Sequence, residues 1–338
     1  MESDRAAVGG GGRVTGPAVR LLLSDAARER LAARLGPEVL AVPPEAASAG
    51  AAFDIAFVSR DVTGLSTKHD ILPDTRRFYD AMLAMPALRW VHVHSAGADR
   101  QVFVDLRARG VQVSTSAGSN AAVVAQTALA GLLALARQFP RLLAAQREAR
   151  WAPLIGSGLP RDLAGQTAVV VGWGAIGRQL GGWLAVLGLK VVAVRRERGS
   201  ADGAVETAAY DDLPSVLPRA DWLVLACPLT ARTRGLVDAA ALARLPAGAH
   251  LVNVARGEVV DEPALVAALQ QGRLAGAYLD VFAHEPLPAA SPLWRLPNVI
   301  ATPHSAGFSD GHAARVDAMF LDNLARWQAG QPLANVAA

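Results

Sequence analysis

The chain has 338 residues and one cysteine, Cys227. A single thiol cannot close an internal disulfide, and without a cysteine cluster no thiolate metal site is expected. This fits a reducing, cytoplasmic setting. Lysine is almost missing too: Lys68 and Lys190 stand alone, and the other basic residues are arginines. Net charge is only +3, and no basic run with interleaved aromatics occurs. Nucleic acid is therefore not an expected partner. Long apolar runs are also lacking. The longest, Ala121–Ala136, includes Gln126 and Thr127 and falls short of the roughly 20 residues of a membrane span. It reads as a buried helix, so no membrane partner is expected. The first residues are acidic and are followed by Gly9–Gly12. With no apolar core of a signal peptide, residues 1–17 read as a flexible tail.

What is present suits a globular protein: 52% of the residues are hydrophobic and 19% charged. The length favours two domains. Strands are expected at Val19–Leu23, Ala51–Val58, Trp90–His94 and Val111–Ser114. Helices are expected from about Asp25 to Leu35, Phe78 to Met85 and Val102 to Arg109. One long helix is expected from Asn120 to Arg150, followed by a loop over Trp151–Gly165 that contains Pro153, Gly156 and Pro160. A second alternating unit has strands at Ala168–Val171, Lys190–Val194, Trp222–Ala226, Ala249–Val254, Gly276–Val281 and Val299–Ala301. Its helices include Ile176–Leu187 and Glu262–Gln271. Such alternation predicts α/β architecture with parallel sheets. We therefore expect two Rossmann-like or flavodoxin-like doubly wound domains with the active site in the cleft between them. Residues 120–305 would form a dinucleotide-binding domain. Residues 18–119 and 306–338 would form a discontinuous substrate domain, the last helix, about Gly311–Gly330, returning to the first.

The segment Val171-Gly172-Trp173-Gly174-Ala175-Ile176-Gly177 is G-x-G-x-x-G directly after a buried strand and directly before a helix. That context makes it a dinucleotide loop. Gly172 permits the tight turn, Gly174 lets the backbone approach a pyrophosphate, and Gly177 packs helix on strand. The amides that open the helix, at Ala175, Ile176 and Gly177, would face the phosphates. About 20 residues on, an NAD enzyme usually has an acidic residue for the ribose 2′-hydroxyl. Here Arg195 and Arg196 stand there, with Arg198 close behind and Glu197 two residues late. A guanidinium fork suits a 2′-phosphate, so NADP(H) is the preferred cofactor and NAD(H) the second.

Three later segments follow strands: Asn253-Val254-Ala255-Arg256-Gly257, Asp280-Val281-Phe282-Ala283-His284-Glu285-Pro286, and Thr302-Pro303-His304-Ser305-Ala306. Each puts polar residues beyond a strand's carboxyl end, where doubly wound sheets bind ligands. Together with the glycine loop, with Pro228-Leu229-Thr230-Ala231-Arg232-Thr233-Arg234-Gly235 and with His94-Ser95-Ala96-Gly97-Ala98-Asp99, they make the chain resemble the D-isomer-specific 2-hydroxyacid dehydrogenase family. The likeness covers about residues 50–330. Two departures are the arginines at the ribose position and Gln126, where the family often has Glu.

The resemblance implies reduction of a small 2-oxo acid to the D-2-hydroxy acid, with glyoxylate and hydroxypyruvate as candidates. Arg256 would hold the substrate carboxylate and polarise the oxo group. His304 would be the general acid, and Glu285 would fix its ring and favour the imidazolium. The amides of Ala96 and Gly97 would take the substrate carboxylate, and His94 stands beside them. Asp280 would face the nicotinamide amide. Cys227, Pro228, Thr233, Val254, Ala255 and Ala306 would line the cofactor, with His304 at its reacting end. No metal site is expected. His92 reads as structural. A homodimer is implied, with Trp151 near the partner's active site. A phosphoglycerate-dehydrogenase-like enzyme and a nucleotide-sensing corepressor on the same fold are the alternatives.

Overall fold

A computed structural model describes residues 18–155, 158–197 and 205–337. The expected tail 1–17, Gly156 and Arg198 lie outside the described residues. The chain divides into two compact units. Of the described residues, the first unit contains 18–64, 72–116 and 316–337; the second contains 65–71 and the described part of 117–315.

In the first unit the order is β1 (Val19–Leu22), α1 (Asp25–Leu31), β2 (Val39–Val42), α2 (Pro44–Ser48), β3 (Ile55–Val58), α3 (Arg60–Thr63), α4 (Pro73–Ala84), β4 (Trp90–Val93), α5 (Gln101–Ala108) and β5 (Gln112–Thr115). The strands form one parallel sheet, β2-β1-β3-β4-β5. β3 and β4 are buried at every residue, as strands covered on both faces must be.

In the second unit come α6 (Ala121–Ala136), α7 (Phe139–Arg147), β6 (Thr167–Val171), α8 (Ala175–Val186), β7 (Lys190–Arg195), β8 (Glu206–Ala209), α9 (Leu213–Val216), β9 (Trp222–Leu225), α10 (Ala239–Arg244), β10 (Ala249–Asn253), α11 (Glu262–Gln270), β11 (Leu274–Leu279) and β12 (Val299–Ala301). Seven parallel strands run β12-β11-β10-β9-β6-β7-β8. Strand order reverses at β6, which lies between β9 and β7. The crevice at the carboxyl ends there is where a doubly wound sheet takes a ligand.

The last helix, α12 (His312–Gln328), belongs to the first unit from Val316 onward. Val316, Phe320 and Leu324 recur every four residues on one face and pack with Leu21, Ile55, Phe57 and Trp90. Phe320 stacks on Phe57 with ring centroids 4.3 Å apart. Arg30 anchors the helix start through Asp317 at 2.9 Å. The division nonetheless lies later than the expected residue 306. Residues 306–315 stay with the second unit because Thr127 Oγ1 donates to Ala306 O at 3.0 Å and Arg315 Nε donates to Ser119 O at 2.5 Å.

The single helix expected over Asn120–Arg150 is two helices. Gln138 takes a left-handed φ of 57° and is followed by Phe139-Pro140. Proline disfavours helical backbone in the residue before it and can enter a helix only in its first turn, so the chain stops and restarts with a bend of 71°. Leu132, Leu135 and Ala128 of α6 lie in the core of the second unit, and Gly131 admits the Tyr278 ring so closely that a Cβ there would stand 2.3 Å from it. Among the described residues no single helix is long and apolar enough to cross a membrane. Two edge strands, β2 and β8, were not expected. Glu206–Ala209 lacks the apolar run that marks the central strands. Val39–Val42 is apolar throughout but only four residues long and partly exposed, with Leu40 facing solvent, as short edge strands are.

His92 sits in β4 with no exposed surface. Its Nδ1 lies 2.8 Å from Ser114 Oγ and its Nε2 3.0 Å from Ser116 Oγ. Ser116 donates its hydroxyl to Val93 O, so it accepts from Nε2–H, and Nδ1 is left to accept from Ser114. The network is complete with a neutral ring. Burial pushes the His92 pKa down to about 3. The unfolded chain therefore binds a proton below about 6.5 that the folded chain refuses, and stability falls as pH drops from about 6.5 towards 3. The limiting slope for one such group is about 1.4 kcal/mol per pH unit. His92→Gln, which cannot titrate, should flatten urea-unfolding stability between pH 7 and pH 5; an unchanged slope would exclude this histidine as its source.

Candidate active site

The three glycines of the dinucleotide loop have different jobs. Gly172 ends β6 at φ 102°, and a Cβ there would lie 2.5 Å from Cys227 N. Gly177 has Gly172 O 1.9 Å from where its Cβ would be. Backbone occupies both places, so packing alone demands glycine. Gly174 is extended and exposed, and a Cβ on it would meet nothing within 4 Å. The fold does not need glycine there, and the open side leaves room for a group to approach the backbone. Gly174 also caps α8, with no side-chain oxygen taking the first amides. Free amides at a helix start, with open space in front, fit the phosphates of a dinucleotide. Ala175 is exposed and Ile176 half-buried beside them.

Arg195 closes β7 half-buried, and Arg196 is exposed. The structure adds Arg232 to them: it donates to Arg196 O at 3.3 Å and pairs with Asp211 at 2.7 Å. Its guanidinium lies 5.8 Å from the Tyr210 ring centroid. Burial and the neighbouring Cys227 hold the Tyr210 hydroxyl pKa up, while the charges of Arg196 and Arg232 pull it back. Cys227 is buried, and burial pushes its thiol up to about 11, so it packs rather than reacts. Thr233 is fully buried. Its Oγ1 donates to Pro228 O at 2.7 Å and accepts the Thr230 amide at 2.8 Å. This hydroxyl shapes the Cys227-Pro228 turn and is spent on it. No group of three or more metal-ligating side chains occurs among the described residues.

Arg256, Glu285 and His304 come together at the carboxyl ends of β10, β11 and β12. Asn253 folds the first loop: Oδ1 accepts the Ala255 amide at 3.0 Å and Nδ2 donates to Arg256 O at 3.1 Å. The side chain of Arg256 donates to Ala255 O at 2.8 Å. Gly257 then lies against the next loop, with Phe282 C 1.8 Å from where its Cβ would be. Val254 and Ala255 are buried beneath. Glu285 Oε2 lies 2.8 Å from His304 Nδ1, and Oε1 accepts the Phe282 amide at 3.1 Å. Burial alone would raise the Glu285 carboxyl; the His304 bond and charge, the Phe282 amide and the Arg256 charge outweigh it and leave it lowered. Nδ1 must carry a proton to bond a carboxylate. Nε2 is thus the nitrogen that faces outward, on a side chain 48% exposed.

His304 has a left-handed φ of 50°, unusual for a residue other than glycine. Asp280 holds it there. The Asp280 carbonyl accepts the His304 amide at 2.8 Å. Its carboxylate accepts Thr302 Oγ1 at 2.6 Å, the Ser305 amide at 2.8 Å and the Ala306 amide at 3.0 Å. Burial raises the Asp280 pKa and these donors oppose it. Thr302 and Asn253 escaped the sequence reading because local bonds from threonine and asparagine leave no periodic signal. The motif spacing around them was the only trace.

The remaining substrate candidates lie in the first unit. Ala96 and Gly97 follow β4, with Ser95 Oγ donating to Gly97 O at 2.6 Å. His94 is buried, its Nε2 2.9 Å from Thr63 Oγ1.

Residues 129–306 match the family model described as "D-isomer specific 2-hydroxyacid dehydrogenase, NAD binding domain". A glyoxylate reductase of Korarchaeum cryptofilum is 34% identical over 255 residues, 73% of this chain and 75% of that protein. A D-isomer specific 2-hydroxyacid dehydrogenase family protein from Aeromonas salmonicida superposes with a TM-score of 0.78 at 29% identity, covering 96% of this chain and 99% of that one. The D-isomer specific 2-hydroxyacid dehydrogenase from Xanthobacter autotrophicus, solved with NADPH and MES, gives a TM-score of 0.74 at 30% identity, covering 96% of this chain and 98% of that one. With the glycine loop, the strand-end triad and these matches in agreement, the chain belongs to the D-isomer specific 2-hydroxyacid dehydrogenase family and is a nicotinamide-dependent oxidoreductase acting on CH–OH groups.

Proposed function

We propose that the enzyme is an NADPH-preferring reductase of small 2-oxo acids, glyoxylate and hydroxypyruvate foremost. The observation that carries the chemistry is the 2.8 Å bond between His304 Nδ1 and Glu285 Oε2, which leaves Nε2 as the second ring nitrogen of a half-exposed side chain. A reduced nicotinamide, when bound, supplies a hydride to C2. Arg256 holds the substrate carboxylate with a permanently charged fork and draws electron density from the 2-oxo group. His304 Nε2 gives its proton to the forming alkoxide oxygen. Glu285 keeps the Nδ1 proton in place and orients the ring. The amides of Ala96 and Gly97, with His94, are assigned to substrate. Ala175, Ile176, Cys227, Pro228, Val254, Ala255, Asp280 and Ala306 are assigned to the cofactor pocket.

The NADPH preference rests on Arg195 and Arg196, and on the absence of a carboxylate at the strand end. It is supported by the NADPH bound to the relative from Xanthobacter autotrophicus. The substrate class is supported by the name of the Korarchaeum cryptofilum relative, a glyoxylate reductase. A homodimer is supported by exposed apolar side chains along one stretch, Phe139, Leu143, Trp151, Ile155 and Leu159.

Steady-state assays with glyoxylate should give a higher kcat/KM with NADPH than with NADH, and a strong NADH preference would overturn the cofactor assignment. Replacing both Arg195 and Arg196 with Ser should lower kcat/KM for NADPH by roughly tenfold or more, as for a lost charge-assisted contact, and spare NADH. His304→Ala should reduce kcat by roughly two to four orders of magnitude with dinucleotide affinity nearly unchanged by tryptophan fluorescence. Near-native turnover in that variant would remove the histidine from the mechanism. Gly174→Val should keep the native Tm yet bind dinucleotide poorly; a large fall in Tm would mean that the fold, not the ligand, requires this glycine.

A further inference from the structure

Glu285 is gripped on two sides. Its carboxylate is taken by His304 and the Phe282 amide, as described. Its own peptide groups are taken by a different segment. Thr67 Oγ1 donates to Glu285 O at 2.7 Å, and the Glu285 amide points at His69 Nδ1, 3.2 Å away. Thr67 and His69 lie in Leu65–Ile71, which folds with the second unit although the chain on either side belongs to the first.

This strap is braced from within. Thr67 N donates to Asp70 O at 2.8 Å. Thr67 Oγ1 accepts the amides of His69 at 3.2 Å and Asp70 at 3.0 Å. A hydroxyl has one proton to give and two lone pairs, so Thr67 is fully used: it organises the strap and gives its proton to Glu285. The His69 ring stacks on His284 with centroids 4.6 Å apart and planes 11° from parallel. His284 Nδ1 in turn donates to Pro286 O at 3.2 Å. Between Thr67 and His69, Lys68 Nζ lies 2.5 Å from Glu258 Oε1, two residues past Arg256. The strap thus touches both the turn after Arg256 and the turn bearing Glu285.

We propose that Thr67, Lys68 and His69 are positioning residues for the reaction: they hold the backbone of Glu285 and the Glu258 turn so that Glu285 meets His304 Nδ1. The assignment rests on the reading of Glu285 and His304 as the acid pair. A displacement of the order of an ångström at such a pair costs about a hundredfold in rate, so a bond to the main chain of Glu285 is felt in turnover more than in binding.

The test uses the full-length enzyme with glyoxylate and NADPH. Thr67→Val, which keeps shape and loses the donor, should lower kcat by roughly three- to tenfold, the equivalent of one neutral hydrogen bond. It should leave the NADPH Kd unchanged and move the pH profile of kcat, because the strap acts through Glu285 and His304. Thr67→Ser should restore both. If Thr67→Val does not fold, His69→Ala, which alters an exposed ring, carries the same readouts. Native kcat and pH profile in Thr67→Val, or no rescue by serine, would overturn the proposal. Glu285→Gln and His304→Ala separate the two levels. If they lose turnover while Thr67→Val does not, only the strap assignment fails; if they too keep turnover, the reading of the acid pair fails.

Discussion

The buried carboxylate of Asp280 sets the geometry on which the rest of the site depends. It stands just past β11 with 2% of its surface exposed. An isolated carboxylate so placed would be strongly disfavoured. Three donors from the next loop satisfy it: the Thr302 hydroxyl and the amides of Ser305 and Ala306. Those bonds bend the loop back on itself and force His304 between them into a left-handed backbone. Tyr278 adds a further brace through its hydroxyl, 2.8 Å from Thr302 Oγ1. The histidine is therefore presented by the backbone and then oriented by Glu285. The two acidic residues divide the work, one holding the main chain and the other the ring.

A second constraint is steric. At Gly172 and Gly177 backbone from β6, the Cys227 turn and α8 converge within distances no Cβ can enter. The helix start is pressed against the strand end, and its amides are left facing outward over Gly174. Binding of an anion there follows from how strand and helix pack. The same economy recurs at Gly257, whose missing side chain lets the Arg256 turn lie on the Phe282 backbone. Arg256 and Glu285 are coupled by backbone contact before any charge is considered.

Much of this was legible in the sequence, for identifiable reasons. Central strands such as β6 and β9 are buried on both faces and read as continuous apolar runs. Arg256, Glu285 and His304 stand at strand ends inside recognisable segments. Edge strand β8 was invisible because its open side needs no apolar residues, and β2 because four apolar residues between Pro37 and Pro43 are too short a run to mark a strand. The break at Gln138 was hidden because helical apolar character resumes after it, although Pro140 was a signal. The strap was illegible for a deeper reason. Thr67, Lys68 and His69 meet Glu258 and Glu285 about 190 to 218 positions later, and nothing in a short polar loop announces such a partner. Thr233 reads in sequence like a cofactor contact, yet its hydroxyl is consumed by its own turn.

The way these parts are held bears on what the enzyme can vary. Glu285, His304 and the Arg256 turn are held by main-chain bonds, and Gly172 and Gly177 by steric exclusion. The residues proposed for the ribose are placed differently. Arg195 and Arg196 sit at the end of β7, one half-buried and one exposed. Arg232 reaches the same place from another loop and lies near the Tyr210 ring. Charge there can be exchanged at little structural cost, because exposed ion pairs such as Arg232–Asp211 contribute little to stability. On the proposed assignments, reaction type is built into the packing of the strand ends, and cofactor choice into a solvent-facing edge. On that argument a change of dinucleotide preference needs few substitutions, whereas a change of reaction would require rebuilding the loop that Asp280 holds.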